Sequence, residues 1–369
     1  MGCYFERRGC QAAVTVLRRW VELSDSSGIG DFHIVGPSFT LLRVLMLRLL
    51  CSALVGLVCC SMPSWTLAQA FPNKPLRIIV PFPPGGGAES TARLMAMKLS
   101  EGLGQPVLVE TRPGAGGNIG TEVVAKAQPD GYTLLLATSG MTIQPHLQKT
   151  SWDPLRDFLP LGIVASYSLV IAAHPSVTAQ TLPELITYAK ANPGKLTYGS
   201  SGSGGPLHLG AELFASQTGI KLLHVPYKGN APMTLAILSG EINLVFDSPV
   251  GPLPNIRAGK LRALATTGQR RTQSLPEVPT VREIRELNLP QFEYESWNGL
   301  AVPAGTPADV VRRLSQEVKK ITSLPDVRER FLALGYDPRN DGAEDMASQM
   351  ANDFQRFGQV IRQVGIKLD

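Results

Sequence analysis

Twice between residues 71 and 120 a strand-like run passes straight into a turn paved with glycine, and few architectures accept that pattern. The first run is Leu76-Arg77-Ile78-Ile79-Val80, followed by Pro81-Phe82-Pro83-Pro84 and Gly85-Gly86-Gly87-Ala88. Ala92, Met95, Ala96, Leu99 and Leu103 then recur at helical spacing, so the order is strand, glycine turn, helix. The second run, Val107-Leu108-Val109-Glu110, leads through Arg112-Pro113-Gly114-Ala115-Gly116-Gly117 into a helix carrying Ile119, Val123, Val124 and Ala127. Glycine lets a bound group approach the main chain closely. The helix start beyond it presents unpaired N–H groups and a partial positive charge. The pattern is a seat for a small anion, a carboxylate or a phosphate.

The alternation continues down the chain. Pro129-Asp130-Gly131 turns into a strand over 132–137, and the apolar run Leu161 to Ala173 is long enough to cross into a second unit. That unit opens with a helix over 182–191 and a strand over 196–200. A third glycine turn, Gly199 to Pro206, then precedes the helical run Leu209 to Phe214. Short strands follow at 242–246 and 261–266, the chain crosses back around 292–300, and the tail is helical over 307–322, 327–334 and 343–364. The fold expected is α/β with two lobes, each on a parallel-type sheet, joined by two crossings. Lobe 1 takes 71–173 and 293–369, and lobe 2 takes 174–292. Open sheets of this kind hold ligands outside the carboxyl ends of their strands, so the site expected is the cleft between the lobes.

The N-terminal segment reads as an address. Met46-Leu47-Arg48 gives a short cationic start, Leu49 to Cys60 an apolar run, and Ala68-Gln69-Ala70 an A-x-A cleavage motif. The apolar run falls short of the roughly 20 residues a membrane-spanning helix needs. Residues 46–70 are therefore expected to be a cleavable signal peptide for export to the periplasm. Residues 1–45 are then an over-extended start, with Met46 as initiator. Cys3, Cys10, Cys51, Cys59 and Cys60 all precede Ala70. A mature chain from Phe71 has no disulfide, no catalytic thiol and no cysteine metal ligand. None of the apolar-run cysteines follows a small residue, so a lipid anchor is not expected. From residue 71 onward the chain carries 29 basic and 26 acidic residues with no basic run, which is no footprint for nucleic acid.

Catalytic and cofactor motifs are weak. Gly114, Gly116 and Gly120 form G-x-G-x-x-x-G, one residue too long for a dinucleotide turn, and Gly194-Lys195 is followed by leucine where a P-loop needs Ser or Thr. Ser201 and Ser203 each lack one glycine of the nucleophile elbow G-x-S-x-G. A periplasmic serine hydrolase using Ser203 or Ser201 with His208 is thus a minor alternative. His146, His174, His208 and His224 are scattered, with no metal-binding pair. The bland reading is favoured for each of three groups: His208 fixes its loop by a hydrogen bond, His224 is a half-buried strand residue, and Lys228 is an exposed turn lysine. No cofactor or metal is expected. The glycines of 113–120 are explained by a tight turn alone, whereas loops 83–90 and 199–206, one in each lobe, add groups able to bind a carboxylate.

These segments also resemble a known family. PFPPGGGAESTAR, ETRPGAGGNIGTE, QPDGYTLL, LTYGSSGSGGPLHL, HVPYKGNAPM, LRALATTGQRR, LPEVPTVREI, SWNGLAVPAGTP and RFLALGYDP, in that order, resemble the periplasmic receptors of tripartite tricarboxylate transporters, the TctC or Bug family. The resemblance implies a two-lobe venus-flytrap that closes on a small carboxylate (a di- or tricarboxylate, an aromatic acid or an acidic amino acid). It implies a monomer that delivers the ligand to a membrane permease and is not an enzyme. A signalling sensor is the alternative partner. The ligand positions it implies are Phe82, Gly87, Ala88 and Glu89 with Thr138 and Ser139 in one lobe, and Ser203, Gly204 and Gly205 with Asp247 in the other. Many relatives have Gly-Gly-x-Thr-Asp where this chain has Gly86-Gly87-Ala88-Glu89. Glu89 is therefore expected either to meet an amino group of the ligand or to cap its helix.

Overall fold

A computed structural model describes residues 71–366 together with Met46 and Arg48. The signal peptide, its cleavage motif and the over-extended start read from residues 1–70 otherwise lie outside the described residues. The chain divides into the units 1–68 and 69–369, and the second unit holds both sheets.

Its first half is built as the sequence pattern demands. Strand β1 (Leu76–Val80) is buried except at Arg77, as befits a strand covered on both faces. Helix α1 (Gly87–Leu103) turns Ala92, Met95, Ala96, Leu99 and Leu103 inward, and Gly104, in the left-handed region at φ 69°, stops it. Then come β2 (Val107–Thr111), α2 (Asn118–Ala125), β3 (Thr133–Thr138), α3 (Gly140–Leu147), β4 (Phe158–Ser168) and β5 (Val170–Ala173). The second lobe holds α4 (Leu182–Ala191), β6 (Thr197–Ser200), α5 (Pro206–Thr218), β7 (Leu223–Pro226), α6 (Asn230–Ser239), β8 (Leu244–Asp247), α7 (Pro252–Arg257) and β9 (Arg262–Thr266). The return is β10 (Glu295–Pro303), α8 (Ala308–Ser323), α9 (Pro325–Ala333), β11 (Asp337–Pro338) and α10 (Ala343–Val364).

Two sheets result, in the orders β11-β4-β10-β3-β1-β2 and β7-β6-β8-β5-β9. In each, three strands are parallel, β2-β1-β3 in one and β7-β6-β8 in the other. The next strand in each is antiparallel, and it is the one arriving from the other lobe: β5, continuing from β4, in the second sheet, and β10, returning from β9, in the first. The sheets are therefore mixed, parallel in their nucleotide-fold-like half and antiparallel where the crossings enter. Strand β5, inside the span 71–173 expected for lobe 1, pairs with β8 and β9 of the second sheet. The run 161–173 is the crossing itself. The return pairs with the first sheet from Glu295 onward.

Helices α3 and α6, like the short α7 and β11, had no sequence expectation. Helix α3 carries Pro145, and α6 has apolar residues all round, so neither shows a one-sided stripe. No helix among the described residues is long and apolar enough to cross a membrane.

Candidate functional site

The carboxyl ends of the parallel strands of both sheets face one cleft, and helices begin there. Helix α1 starts after Gly86, α3 after Ser139, α5 after Gly205 and α6 after Gly229, and none of these four residues caps its helix with a side chain, although Thr138 Oγ1 accepts from Gly140 N at 3.2 Å at the start of α3. Glycine or a short polar residue at these positions leaves the first-turn N–H groups to whatever occupies the cleft.

In the first loop Gly85 takes φ 87°, a left-handed turn that suits glycine. Its N–H donates to Glu89 Oε2 at 2.6 Å, and Arg93 donates to Glu89 Oε1 through Nε at 2.9 Å and Nη2 at 2.5 Å. The Gly85 N–H first, then Arg93, hold the Glu89 carboxyl below its usual range against the effect of burial. Glu89 thus ties the loop before its helix through the Gly85 N–H. Gly87 is needed for a different reason. A β-carbon there would lie 1.6 Å from Tyr336 Oη, so the tyrosine of the C-terminal segment rests directly on the helix start.

In the second lobe Gly204 N donates to His208 Nδ1 at 3.0 Å. The acceptor nitrogen makes this a neutral imidazole, and burial, with the neighbouring His224, pushes its pKa down to about 3. His208 stacks on His224, ring centroids 4.0 Å apart, and His224 Nε2 lies 2.7 Å from Ser200 Oγ. His208 thus fixes the loop 201–205, and its bond to Gly204 leaves Ser201 and Ser203 without the base a hydrolase would need.

Asp247 ends β8 and is 1% exposed. Its Oδ1 accepts from Asn230 Nδ2 and Ser248 N, each at 2.7 Å. Burial pushes its carboxyl up to about 7 despite those donors. Tyr167 and Tyr336 stack with centroids 4.8 Å apart. Burial pushes Tyr167 up to about 12 and holds Tyr336 well above its ordinary value, so both present neutral hydroxyls.

Two neighbouring cavities, with Phe82 and Ser201 in the walls of both, occupy the cleft. The inner one is lined by Phe82, Gly87, Ala88 and Thr138 from the first lobe. Tyr167, Asn298 and Tyr336 join them, with Ser201, Leu207, Asn230 and Ser248 opposite. Among the described residues no charged side chain lines it. The outer one, about 510 Å³, has Ser203 and Gly205 in its wall. Of the remaining expected positions, Gly204 lies behind that wall, where its carbonyl accepts from Gln144 Nε2 at 2.8 Å. Ser139 is buried, its Oγ 2.6 Å from Ser296 Oγ. Asp247 reaches the inner cavity only through Asn230 and Ser248. Glu89 lines neither. Tyr167, Asn230, Ser248, Asn298 and Tyr336 carry no sequence signal of a site. Asn230, Asn298 and Tyr336 stand in three of the family-like segments, HVPYKGNAPM, SWNGLAVPAGTP and RFLALGYDP, but nothing local marks them as cleft residues. Among the described residues no group of three or more His, Cys, Asp or Glu is placed to hold a metal ion.

Comparison with known proteins agrees with this architecture. A family model described as the tripartite tricarboxylate transporter family receptor matches residues 91–366. A UPF0065 protein from the tcbD-tcbE intergenic region of Pseudomonas sp. (strain P51) is 36% identical over 312 residues, 84% of this chain and 92% of that one. Among solved structures, R. palustris Rpa4515 with adipate superposes with TM-score 0.76 at 32% identity, covering 80% of this chain and 99% of that one. MatC (Rpa3494) from Rhodopseudomonas palustris with bound malate gives 0.73 at 28% identity, covering 79% and 100%.

Proposed function

Because the chain belongs to the tripartite tricarboxylate transporter receptor family, we propose that its cleft takes up a small organic carboxylate and hands it to a membrane permease of that transporter class. The family is one of receptors and not of enzymes. The observation that carries the ligand chemistry is the inner cavity: helix starts from both lobes, none capped by a side chain, meet at a space with no charged side chain in its described wall. Such a site neutralises an anion with aligned N–H dipoles and hydroxyls rather than with a counter-charge. The relatives with adipate and with malate hold acids of this class.

The donors assigned to the ligand carboxylate are the amides of Gly87 and Ala88 and the Thr138 hydroxyl from one lobe, with Ser203 and Gly205 from the other, while Gly204, its N–H bound to His208, holds their loop from behind. Phe82 forms the wall. Ser139, Asp247 and Glu89 act from behind, holding the elements that carry those donors. Grip from two lobes implies closure about the crossings at Leu169 and Tyr294. The export reading of residues 46–70 puts the receptor in the periplasm, and it works there as a monomer.

Titration calorimetry with mono-, di- and tricarboxylates, with and without an α-amino group, tests the reading. Saturable binding of at least one acid, with no turnover on ester or amide panels, supports it. Failure of every carboxylate to bind or to raise the melting temperature would sink it. N-terminal sequencing of exported material should begin at Phe71.

A further inference from the structure

The turn assigned to the ligand in the first lobe is held from outside the cleft. Gly85, Gly86 and Gly87 follow one another into α1, and three successive glycines have no fixed conformation of their own. What fixes the turn is Glu89, whose side chain is only 10% exposed and whose Oε2 accepts the Gly85 N–H at 2.6 Å. What fixes Glu89 is Arg93, at the i,i+4 spacing that puts the two on one helix face. The guanidinium donates through Nε at 2.9 Å and Nη2 at 2.5 Å, both to Oε1, which leaves Oε2 for Gly85. Arg93 itself lines neither cavity of the cleft. Its side chain is 66% exposed and stands in an outer hollow with Met97, Leu108 and Glu110. The turn also meets the second lobe. A β-carbon on Gly85 would lie 3.7 Å from Ala231 Cβ, and one on Gly86 would lie 2.8 Å from Asn230 Oδ1.

We infer that Arg93 is a positioning residue for carboxylate capture, acting from the outer surface through Glu89 to keep the Gly85–Gly87 turn in the shape that the ligand and the second lobe both require. The inference rests on the carboxylate-receptor reading and adds to it a residue that touches neither cavity. A glycine turn left free has to be ordered each time a ligand enters, and that entropy is subtracted from the binding free energy. Held in advance, the turn presents the amides of Gly87 and Ala88 without that cost. The guanidinium suits the task better than an ammonium, because two donors on one oxygen fix the rotation of the carboxyl as well as its position. An exposed ion pair that served the fold alone would leave ligand affinity untouched, and this separates the two roles.

The test is calorimetry on the full mature chain with acetate, succinate, malate, adipate and citrate as probes. Wild type is compared with Arg93→Gln, Arg93→Lys, Glu89→Ala and the double variant that combines Glu89→Ala with Arg93→Gln. Arg93→Gln should weaken every acid that wild type binds by a common factor of about fivefold, the upper range for an exposed ion pair. Arg93→Lys should recover part of that loss, since it restores the charge without the fork. Glu89→Ala should lose more, about tenfold, and adding Arg93→Gln to it should change nothing further, because the arginine acts only through the carboxylate. In nuclear magnetic resonance spectra of the unliganded protein, the Gly85 amide should exchange with solvent faster in Arg93→Gln than in wild type. Unchanged affinity in Arg93→Gln, whatever its melting temperature, would overturn the inference. So would an equal loss from Arg93→Gln with and without Glu89, since the arginine would then act on its own. Either result leaves the receptor reading intact, whereas no binding by any acid to wild type would overturn both.

Discussion

The hydroxyl of Thr267 donates to the Tyr294 carbonyl at 2.6 Å, and Tyr294 N returns a hydrogen bond to Thr267 O at 2.8 Å. The same hydroxyl accepts from Leu169 N at 2.8 Å, and Thr267 N donates to Leu169 O at 3.0 Å. Leu169 and Tyr294 are the points at which the chain leaves and re-enters the first lobe, so one fully buried threonine ties the two crossings together.

Thr267→Val keeps the shape but orphans a buried amide and a buried carbonyl. It should destabilise the fold by about 1–3 kcal/mol, whereas Thr267→Ser, which retains the hydroxyl, should cost less. Urea denaturation of the two variants decides. If Thr267→Val is as stable as wild type while Thr267→Ser is not, packing of the methyl group and not the hydrogen bonds holds the crossing.

Gly87 and Tyr336 make the second prediction. A β-carbon at Gly87 would sit 1.6 Å from Tyr336 Oη and 2.8 Å from its Cζ. Gly87→Ala therefore has to displace the ring from its stack on Tyr167. Carboxylate affinity should fall by at least about tenfold, or ~1.4 kcal/mol. Adding Tyr336→Phe should not restore it, because the ring carbon still clashes. Binding by Gly87→Ala at wild-type strength would refute the placement of Tyr336.

Gln144 spans the lobes. Its Nε2 donates to Gly116 O at 3.0 Å in one lobe and to Gly204 O at 2.8 Å in the other. Gln144→Leu leaves both carbonyls short of a donor and should shift the unliganded protein toward an open form by about 1–3 kcal/mol. Small-angle scattering should report a larger radius of gyration without ligand that returns to the wild-type value at saturation. Identical scattering curves would count against a latch.

Two buried groups set opposing pH dependences. Asp247 is raised from 3.8 to about 7, and the groups facing it are Asn230, Ser248, Tyr167 and Tyr336, none of them a cation. The unfolded chain sheds this proton first, so Asp247 makes stability fall as pH rises from about 4 to about 7. Its ionisation beside a bound anion should also weaken carboxylate binding as pH passes about 7. His208 is lowered from 6.5 to about 3. The unfolded chain takes up this proton first, so His208 makes stability fall as pH drops from about 6.5 toward about 3. Asp247→Asn should remove the first slope and flatten the affinity profile, and His208→Gln should remove the second. Denaturant titrations across that range check both. Unchanged profiles in the variants would mean other groups carry the effect.

Much of the fold was decided by neighbours along the chain. The β-branched run 76–80, the inward stripe of α1, the capped stretch 182–191 and the tail helix 343–364 are local matters, because burial periodicity and turn chemistry act over a few residues. The glycine turns at 85–87 and 204–205 were likewise legible as turns leading into helices. The confinement of cysteine to the segment before Ala70 was equally plain in the sequence. Which residues complete the site was beyond that reach. Tyr336 meets Gly87 only because β11 is laid against β4, and Asn298 enters the cleft only because β10 inserts between β3 and β4. Likewise β5 looked like the end of a lobe 1 strand until its pairing with β8 and β9 claimed it for the other sheet. Ser139, a donor by position, is taken by Ser296, more than a hundred and fifty residues away in sequence. A sequence specifies strands and turns through contacts its own periodicity can express. The wall of a cleft is a meeting of distant segments, and it takes the packed fold to say which ones meet.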